Sequence, residues 1–437
     1  MDYIPHKSED IKRMLQVCGL NNVEELFSSI PPELKKDPLN KDDGLKEIEI
    51  IKIFDDFMKD VVEIKTCLAG GGAYRHFIPS VIDSLVSRGE FLTAYTPYQP
   101  EISQGILQTI WEYQEIISRL TGMDISNASH YDGSTSLAEA VVISKAITSQ
   151  NKIVLSEGLN PRHISVLKTI ISNQNFNMKN IPLEDFQTNI TDSDIQDASC
   201  FIIQQPNYYG IIEDLESVAK VCNRNNVLFI VVFNPISAGI LKTPGECGAD
   251  IVTGEGQPLG ISLNFGGPGL GFIACKMKYI RYLPGRIVAK TNDYQNRTAF
   301  VLTLQAREQH IRREKASSNI CSNHALMALR ALIYCSLLGD KGLKSVALLS
   351  CQNARYLKKS LLETGLLEDC TNKPFFHEFP LKFKTDEERD RIRKKMISYG
   401  VLFGIPLSSI KGGILFNTTE LVTNEEIDRV ISILKEI

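Results

Sequence analysis

Four segments carry residues whose types and spacing could do chemistry. The densest is FLTAYTPYQPEISQG, Phe91–Gly105. Pro97 and Pro100 push Thr96 and Gln99 toward extended geometry. Pro100 also suits the first turn of the helix that follows, and Glu101 suits its positive end. The result is a stiff loop presenting Tyr95, Thr96, Tyr98, Gln99 and Glu101, which would serve as the wall of a site or as a packed interface loop. The second segment is Tyr131-Asp132-Gly133-Ser134-Thr135-Ser136, running into a helix. Gly with hydroxyl groups at a helix start can hold an anion or phosphate; Ser or Thr there can equally be a plain cap. The third is Gly266-Gly267-Pro268-Gly269-Leu270-Gly271. It precedes a strand instead of following one, so it is no nucleotide-binding fingerprint. Like the Gly70–Gly72 run, it implies a tight turn or a close backbone approach. The fourth is basic: Arg286, Arg297, Arg307, Arg312, Arg313 and Lys315, partly balanced by Glu308 and Glu314. A solvated helix face is the default for such a stretch, though Arg is suited to partner carboxylates.

The elements that must position these residues follow from hydrophobic spacing. The 437 residues suggest two or three domains. Residues 8–18 read as a helix capped by Ser8, 31–44 as a polar linker, and 48–64 as a second helix carrying Ile50, Ile53, Phe54, Phe57 and Val61. Residues 1–65 are therefore expected to form a helical extension. From about 100 the pattern alternates. Helices are expected over 100–121, stopped by Gly122, and over Ser136–Thr148, Arg162–Ser172 and Glu213–Asn223. Apolar β-branched runs at Lys152–Leu155, Phe201–Gln204, Val227–Phe233, Asp250–Thr253 and Gly271–Cys275 read as strands. Such alternation is the signature of a largely parallel sheet covered on both faces. It assigns residues 66–320 to a large α/β domain. After about 320, helices at Ala325–Leu338, Leu343–Thr364, Asp386–Tyr399 and Asn424–Lys435 with strands at Phe375–Phe383 and Ile414–Phe416 read as a smaller α+β domain, 321–437.

Composition excludes several classes. Lys+Arg is 48 and Asp+Glu 52, a net charge of −4, so nothing recommends a nucleic-acid partner. The longest apolar run, Val227–Phe233, is far short of the roughly 18 residues of a membrane span. The start MDYIPHKSEDIKRM has no apolar signal core, and the expected location is the cytoplasm. The 10 Cys include no CxxC pair and read as small buried hydrophobes in a reducing compartment. The 7 His lack HxH and HExxH spacing, so no metal site is expected.

Taken together, GGGAYRHFIPSVIDS, FLTAYTPYQPEISQG, YDGSTSLAEA, GEGQPLGISLNFGGPGLGF and FVLTLQAREQHIRREKASSNICSN stand in one order over more than 200 residues. The chain closely resembles the P-protein (glycine decarboxylase) family of the glycine cleavage system, on the side of the α subunit of its two-subunit form. The resemblance covers essentially the whole chain. It implies a fold-type I pyridoxal-phosphate architecture with a seven-stranded, mostly parallel sheet and a small C-terminal domain. It also implies an aminomethyl-transferring glycine dehydrogenase. The assembled enzyme releases CO2 from glycine and passes the aminomethyl group to the lipoyl disulfide of H-protein, with pyridoxal phosphate as electron sink.

Such chemistry needs a Lys to hold the cofactor and an Asp on its pyridine nitrogen. Aligned on the Gly-rich turn, Gln257 stands where the family's catalytic subunit has the Lys, and an amide cannot do its work. Asn234 ends the strand where the Asp belongs, and Asp-Pro is common there in this subunit too. Lys242 and Lys276 lie outside the motif. The implied reading is a degenerate half. The β subunit brings pyridoxal phosphate, in an α2β2 heterotetramer, and this chain completes a composite site. Tyr95, Tyr98 and Glu101 are the expected contributions to catalysis, with Thr96 and Gln99 beside them. Arg286, Arg312 and Arg313 would line the approach of H-protein or face the β subunit. Two alternatives stand beside it: a scaffold that contributes no site residue, and an independent pyridoxal-phosphate decarboxylase or aminotransferase.

Overall fold

A computed structural model describes residues 5–35, 44–316 and 318–437, and the chain divides into two compact units, Met1–Val61 and Val62–Ile437. In the first unit, helix α1 is Ser8–Val17 and helix α2 is Glu47–Lys59. Ser8 is not the cap of α1. Lys7 precedes the helix, and its backbone N–H is accepted by Asp10 at 3.0 Å. A carboxylate three residues into the helix thus satisfies the entry amide that Ser8 was expected to manage. Of the expected linker, residues 36–43 lie outside the described residues; Pro32–Leu34 forms a single 3-10 turn.

The second unit is built on one sheet. Its strands are β1 (Ile125–Ser126), β2 (Lys152–Ser156), β3 (Asn177–Ile181), β4 (Ala198–Gln205), β5 (Leu228–Phe233), β6 (Ile251–Glu255) and β7 (Gly271–Cys275). The order is β1-β7-β6-β5-β4-β2-β3. From β6 to β3 all pairs are parallel; β7 runs antiparallel to both β6 and β1. The alternation of side chains explains why these strands read as unbroken apolar runs. Phe229, Val231 and Phe233 of β5 enter one core, while Leu228, Ile230 and Val232 enter the other. A strand buried on both faces has no polar side to show. The first core is closed by helix α3 (Gln104–Thr121) through Tyr113 and Ile117, and the second by α4 (Gly133–Thr148) and α5 (Pro161–Ile171) through Leu137, Val141 and Leu167. Helix α6 (Leu215–Arg224) joins α3 on the first face. Gly122 ends α3 at φ 69°, the left-handed cap a glycine provides.

Helix α7, Ala325–Leu362, is interrupted at Gly339, where φ is 56°. Its first half packs on the sheet through Ala328 and Leu332, and its second reaches a C-terminal core through Leu357 and Leu361. That core lies between helices α8 (Asp386–Ser398) and α9 (Asn424–Glu436) and an antiparallel sheet. The sheet's strands are β8 (Glu368–Asp369), β9 (Glu378–Lys382), β10 (Ile405–Pro406) and β11 (Gly413–Asn417), in the order β8-β9-β11-β10. The start of the second unit also belongs there: Thr66–Cys67 pairs with Val401–Leu402, and Leu68 joins the C-terminal core. Among the described residues no helix is long and apolar enough to cross a membrane.

The tightest point of the main sheet is Gly254 in β6, where an added Cβ would meet the Phe233 carbonyl and the Phe272 ring. Gly254→Ala is expected to destabilise the chain by about 1–3 kcal/mol through overpacking. A lower urea midpoint at unchanged slope would show it.

Candidate active site

In an open parallel sheet, ligand sites form beyond the carboxyl ends of the strands. Here β5 leads directly into Asn234 and β6 ends at Glu255, on neighbouring parallel strands. The start of α4 faces them. Its N-cap is Asp132, which accepts the Thr135 amide at 2.7 Å, so the helix begins at Gly133 instead of Ser136. An acid, not a hydroxyl, does the capping.

Each residue at these ends is already engaged. The Asn234 amide oxygen accepts the Ile236 N–H at 3.0 Å, and its nitrogen lies 2.9 Å from His377 Nε2. Burial holds His377 down at about 3, so it is neutral. Gln257 donates to the carbonyls of Tyr74 (3.1 Å) and Ile261 (2.7 Å) and accepts the Tyr74 amide at 3.3 Å. Glu255 accepts three backbone amides: Gly133 at 2.9 Å, Gln257 at 2.9 Å and Leu270 at 2.8 Å. Burial raises the pKa of Glu255, and the three amides oppose that rise. Behind them, Tyr74 donates its hydroxyl to Glu378 at 2.6 Å, and Gly71 its amide to the same carboxyl at 2.6 Å. Gly72, at φ 103°, runs so close to Asn160 that a Cβ would lie 2.6 Å from the Asn160 amide nitrogen. The Gly70–Gly72 run is thus a close backbone approach.

What remains between these groups is a cavity of about 40 Å³, lined by Tyr74, Asn160, His163, Gln204, Asn234 and Glu255 among others. That is room for two or three waters, against roughly 300 Å³ or more for a small-molecule site. Among the described residues no lysine lines it; Lys242 and Lys276 are held by Glu216 (2.8 Å) and Asp250 (2.7 Å). These residues do not fit pyridoxal phosphate. There is no amine to bind it, no carboxylate for its ring nitrogen at Asn234, and a carboxylate already sits at the helix start. Among the described residues no group of three or more His, Cys, Asp or Glu could hold a metal ion.

The Phe91–Gly105 loop lies open. Tyr95 and Tyr98 are exposed. The Tyr95 hydroxyl is 3.0 Å from the Ser322 hydroxyl. Tyr95 also shares an open cavity of about 260 Å³ with Pro268 of the Gly-rich turn and with His324. His324 in turn lies 2.8 Å from the Gly269 carbonyl and packs edge-on against Tyr131. The loop and the Gly-rich turn therefore meet beside the start of α4. Thr96 buries a hydroxyl that has no partner among the described residues. Gln99 precedes a 3-10 turn, Pro100–Ile102, on which Glu101 is exposed. Gln104, which the sequence reading passed over, clamps the loop to the hairpin Ile287–Asn292/Thr298–Thr303 by accepting and donating at Phe300, both at 2.9 Å.

The basic residues separate. Arg286 is only 2% exposed and lies under the Tyr98 ring at 5.5 Å, with Glu308 4.0 Å away. It does not face outward as the sequence reading had it; the hairpin it leads into carries it beneath the loop. Arg312 and Arg313 are exposed, and Arg312 borders a cavity of about 200 Å³ with Arg281, Arg307 and Glu308. Sequence reasoning missed Glu255, Tyr74, His377 and Glu378. Glu255 and Tyr74 had a signal, since each lies in a motif the sequence reading singled out, GEGQ and GGGAY; His377 and Glu378 gave none.

Residues 1–434 match the family described as glycine cleavage system P-protein. A curated relative from Desulforamulus reducens, named probable glycine dehydrogenase (decarboxylating) subunit 1, is 44% identical over 98% of each chain. Among solved structures, the chain is similar to an inhibitor-bound glycine decarboxylase (P-protein) of the glycine cleavage system, with TM-score 0.89, 39% identity and 100% of both chains covered. It shares its fold alone with the glutamate decarboxylase of Lactobacillus brevis, at 15% identity and TM-score 0.67, covering 95% of this chain and 96% of that one.

The Glu378 carboxyl gives a pH test. Burial pushes it from 4.5 up to about 7, against the opposing Gly71 and Tyr74 hydrogen bonds. The folded chain then keeps this proton longer than the unfolded chain. The stability it contributes is full below the unfolded value and is lost as pH rises through about 7. Glu378→Gln should remove that dependence. Its stability relative to wild type is expected to rise between roughly pH 5 and pH 8 in paired denaturation curves. A pH-independent difference would mean the carboxyl is ionised in the fold.

Proposed function

The chain belongs to the P-protein family of the glycine cleavage system, and on that premise we propose that it is subunit 1 of a decarboxylating glycine dehydrogenase, active only with a partner subunit that carries pyridoxal phosphate. The observation that carries this reading is the contrast at the carboxyl edge of the sheet. The chain's own pocket is filled by its side chains, while the loop bearing Tyr95 and Tyr98 stands exposed beside it. Exposed aromatic side chains around a stiff loop suit burial against another chain. Phe265 in the neighbouring turn and Ile102 at the loop's end are exposed as well.

In this reading the loop enters a composite site formed with the second subunit, in an α2β2 assembly in the cytoplasm. Tyr95 and Tyr98 pack around glycine or donate hydroxyl groups toward it, and Glu101 orients them. Thr96 and Gln99 stiffen the same wall. Arg286 acts from behind, its guanidinium fixing the Tyr98 ring by a cation–π contact. Gln104 ties the loop to the hairpin, so the tyrosines are held on a rigid base. The cofactor's electron-sink chemistry belongs to the partner. Arg312 and Arg313 offer an exposed basic pair to the lipoyl-bearing H-protein, which takes the aminomethyl group, or to the second subunit itself. Gln257 argues against an independent pyridoxal enzyme. A scaffold role stands as the second reading, because the contact of Tyr98 with Arg286 is one that a purely structural loop would also keep.

The test uses the assembled enzyme with H-protein and follows glycine-dependent CO2 exchange. Tyr98→Ala is expected to lower kcat by roughly ten- to a hundredfold through misplacement of the reacting groups, with the complex intact by sedimentation. Tyr95→Phe should change KM or kcat less. Unchanged kinetics in both variants would leave the scaffold reading.

A further inference from the structure

The end of β6 delivers a carboxyl group to a place where backbone amides gather. Gly133 belongs to the first turn of α4, Gln257 to the turn after β6, and Leu270 to the end of the Gly-rich turn; all three amides point at Glu255. One carboxylate oxygen takes the Gly133 N–H and the other takes the remaining two. Amides converging at a helix start are what an anionic ligand uses. The surroundings keep the features of a ligand seat. A Cβ on Gly133 would lie 2.9 Å from the Glu255 backbone nitrogen, and one on Gly269 3.2 Å from the carboxylate, so the backbones approach as closely as a bound anion would require. The Thr253 hydroxyl, two residues earlier on the same face of β6, and His163 Nδ1 are buried without partners among the described residues.

We propose that the Glu255 carboxylate is a built-in occupant of the anion seat at the start of α4, closing this chain's own pocket to phosphate monoesters. A phosphate arriving there would find its donors taken and its place filled by the Glu255 carboxyl oxygens, with the acidic Asp132 one residue from Gly133. Glu255 also satisfies three amides that would otherwise need a ligand, so the helix start and both turns are held without one. One consequence rests on the function proposed above: in the assembled enzyme a phosphate-bearing cofactor loads the partner subunit alone.

The experiment uses the full single chain, without glycine or partner, so its failure is separable from a failure of the turnover test. Inorganic phosphate and pyridoxamine 5′-phosphate, which lacks the aldehyde that would label surface lysines, are titrated into wild type and Glu255→Ala. Wild type is expected to show no saturable binding. Glu255→Ala is expected to bind phosphate saturably, its Tm rising by roughly 2–4 °C more than that of wild type. A variant that unfolds alone should be rescued by phosphate in a concentration-dependent way. Saturable phosphate binding by wild type that shifts the Gly133 and Leu270 amide resonances would overturn the proposal. So would a Glu255→Ala chain, folded or unfolded, whose behaviour in phosphate matches wild type.

Discussion

A backbone amide withdrawn from water must find an acceptor, and at the carboxyl edge of this sheet three of them find the same one. Glu255 joins the first turn of α4, the exit of β6 and the Gly-rich turn into β7. These three segments come from a helix start, a strand exit and a loop. With the acceptor supplied from within, their positions are set by the chain itself. Gln257 and Tyr74 continue the same pattern one layer further back, and Glu378 anchors Tyr74 and Gly71 to the C-terminal sheet. Glu255, Gln257, Tyr74 and Glu378 form a line of hydrogen-bonded groups leading from the main sheet to the C-terminal one.

The outside of the same region is organised differently. Its aromatic side chains, Tyr95, Tyr98 and Phe265, are left exposed, while the cation that steadies one of them is buried. Polar chemistry has been drawn inward and apolar surface left outward, the reverse of a self-sufficient enzyme pocket. At the sheet's carboxyl edge the chain keeps only a small cavity of about 40 Å³, while the aromatic loop stands outside it.

Much of this was legible in sequence, and the parts that were not share a cause. Strands such as Leu228–Phe233 announce themselves because burial on both faces removes every polar residue. The edge strand Asn177–Ile181 reads NMKNI, half exposed, and carries no such pattern. The hairpin from Ile287 was hidden because its flanking arginines drew attention to charge instead of alternation. Gln257 and Asn234 were found because a resemblance said which residue types were missing. Glu378 and His377 were invisible, since a buried acid in a strand looks like a surface acid until the strand is paired. Arg286 was misplaced for the same reason: sequence states a charge but not the side of the loop it sits on.

The pairing of the chain's early glycine run with its late sheet bears on how the molecule is made. Gly71 and Glu378 stand 307 positions apart, and Phe77 meets Glu420 across 343. During synthesis the segment from Thr66 to Phe77 leaves the ribosome long before its acceptors exist. Its contacts with the main-sheet unit close spans of 89 and 183 residues, and those with the C-terminal sheet close far longer ones, at a greater loop-closure cost. The carboxyl behind the pocket, Glu378, is therefore the last part of this region to be made. A chain ending before the C-terminal strands would keep the Asn160 and Gln257 contacts of this segment but lack the carboxyl to which Gly71 and Tyr74 donate.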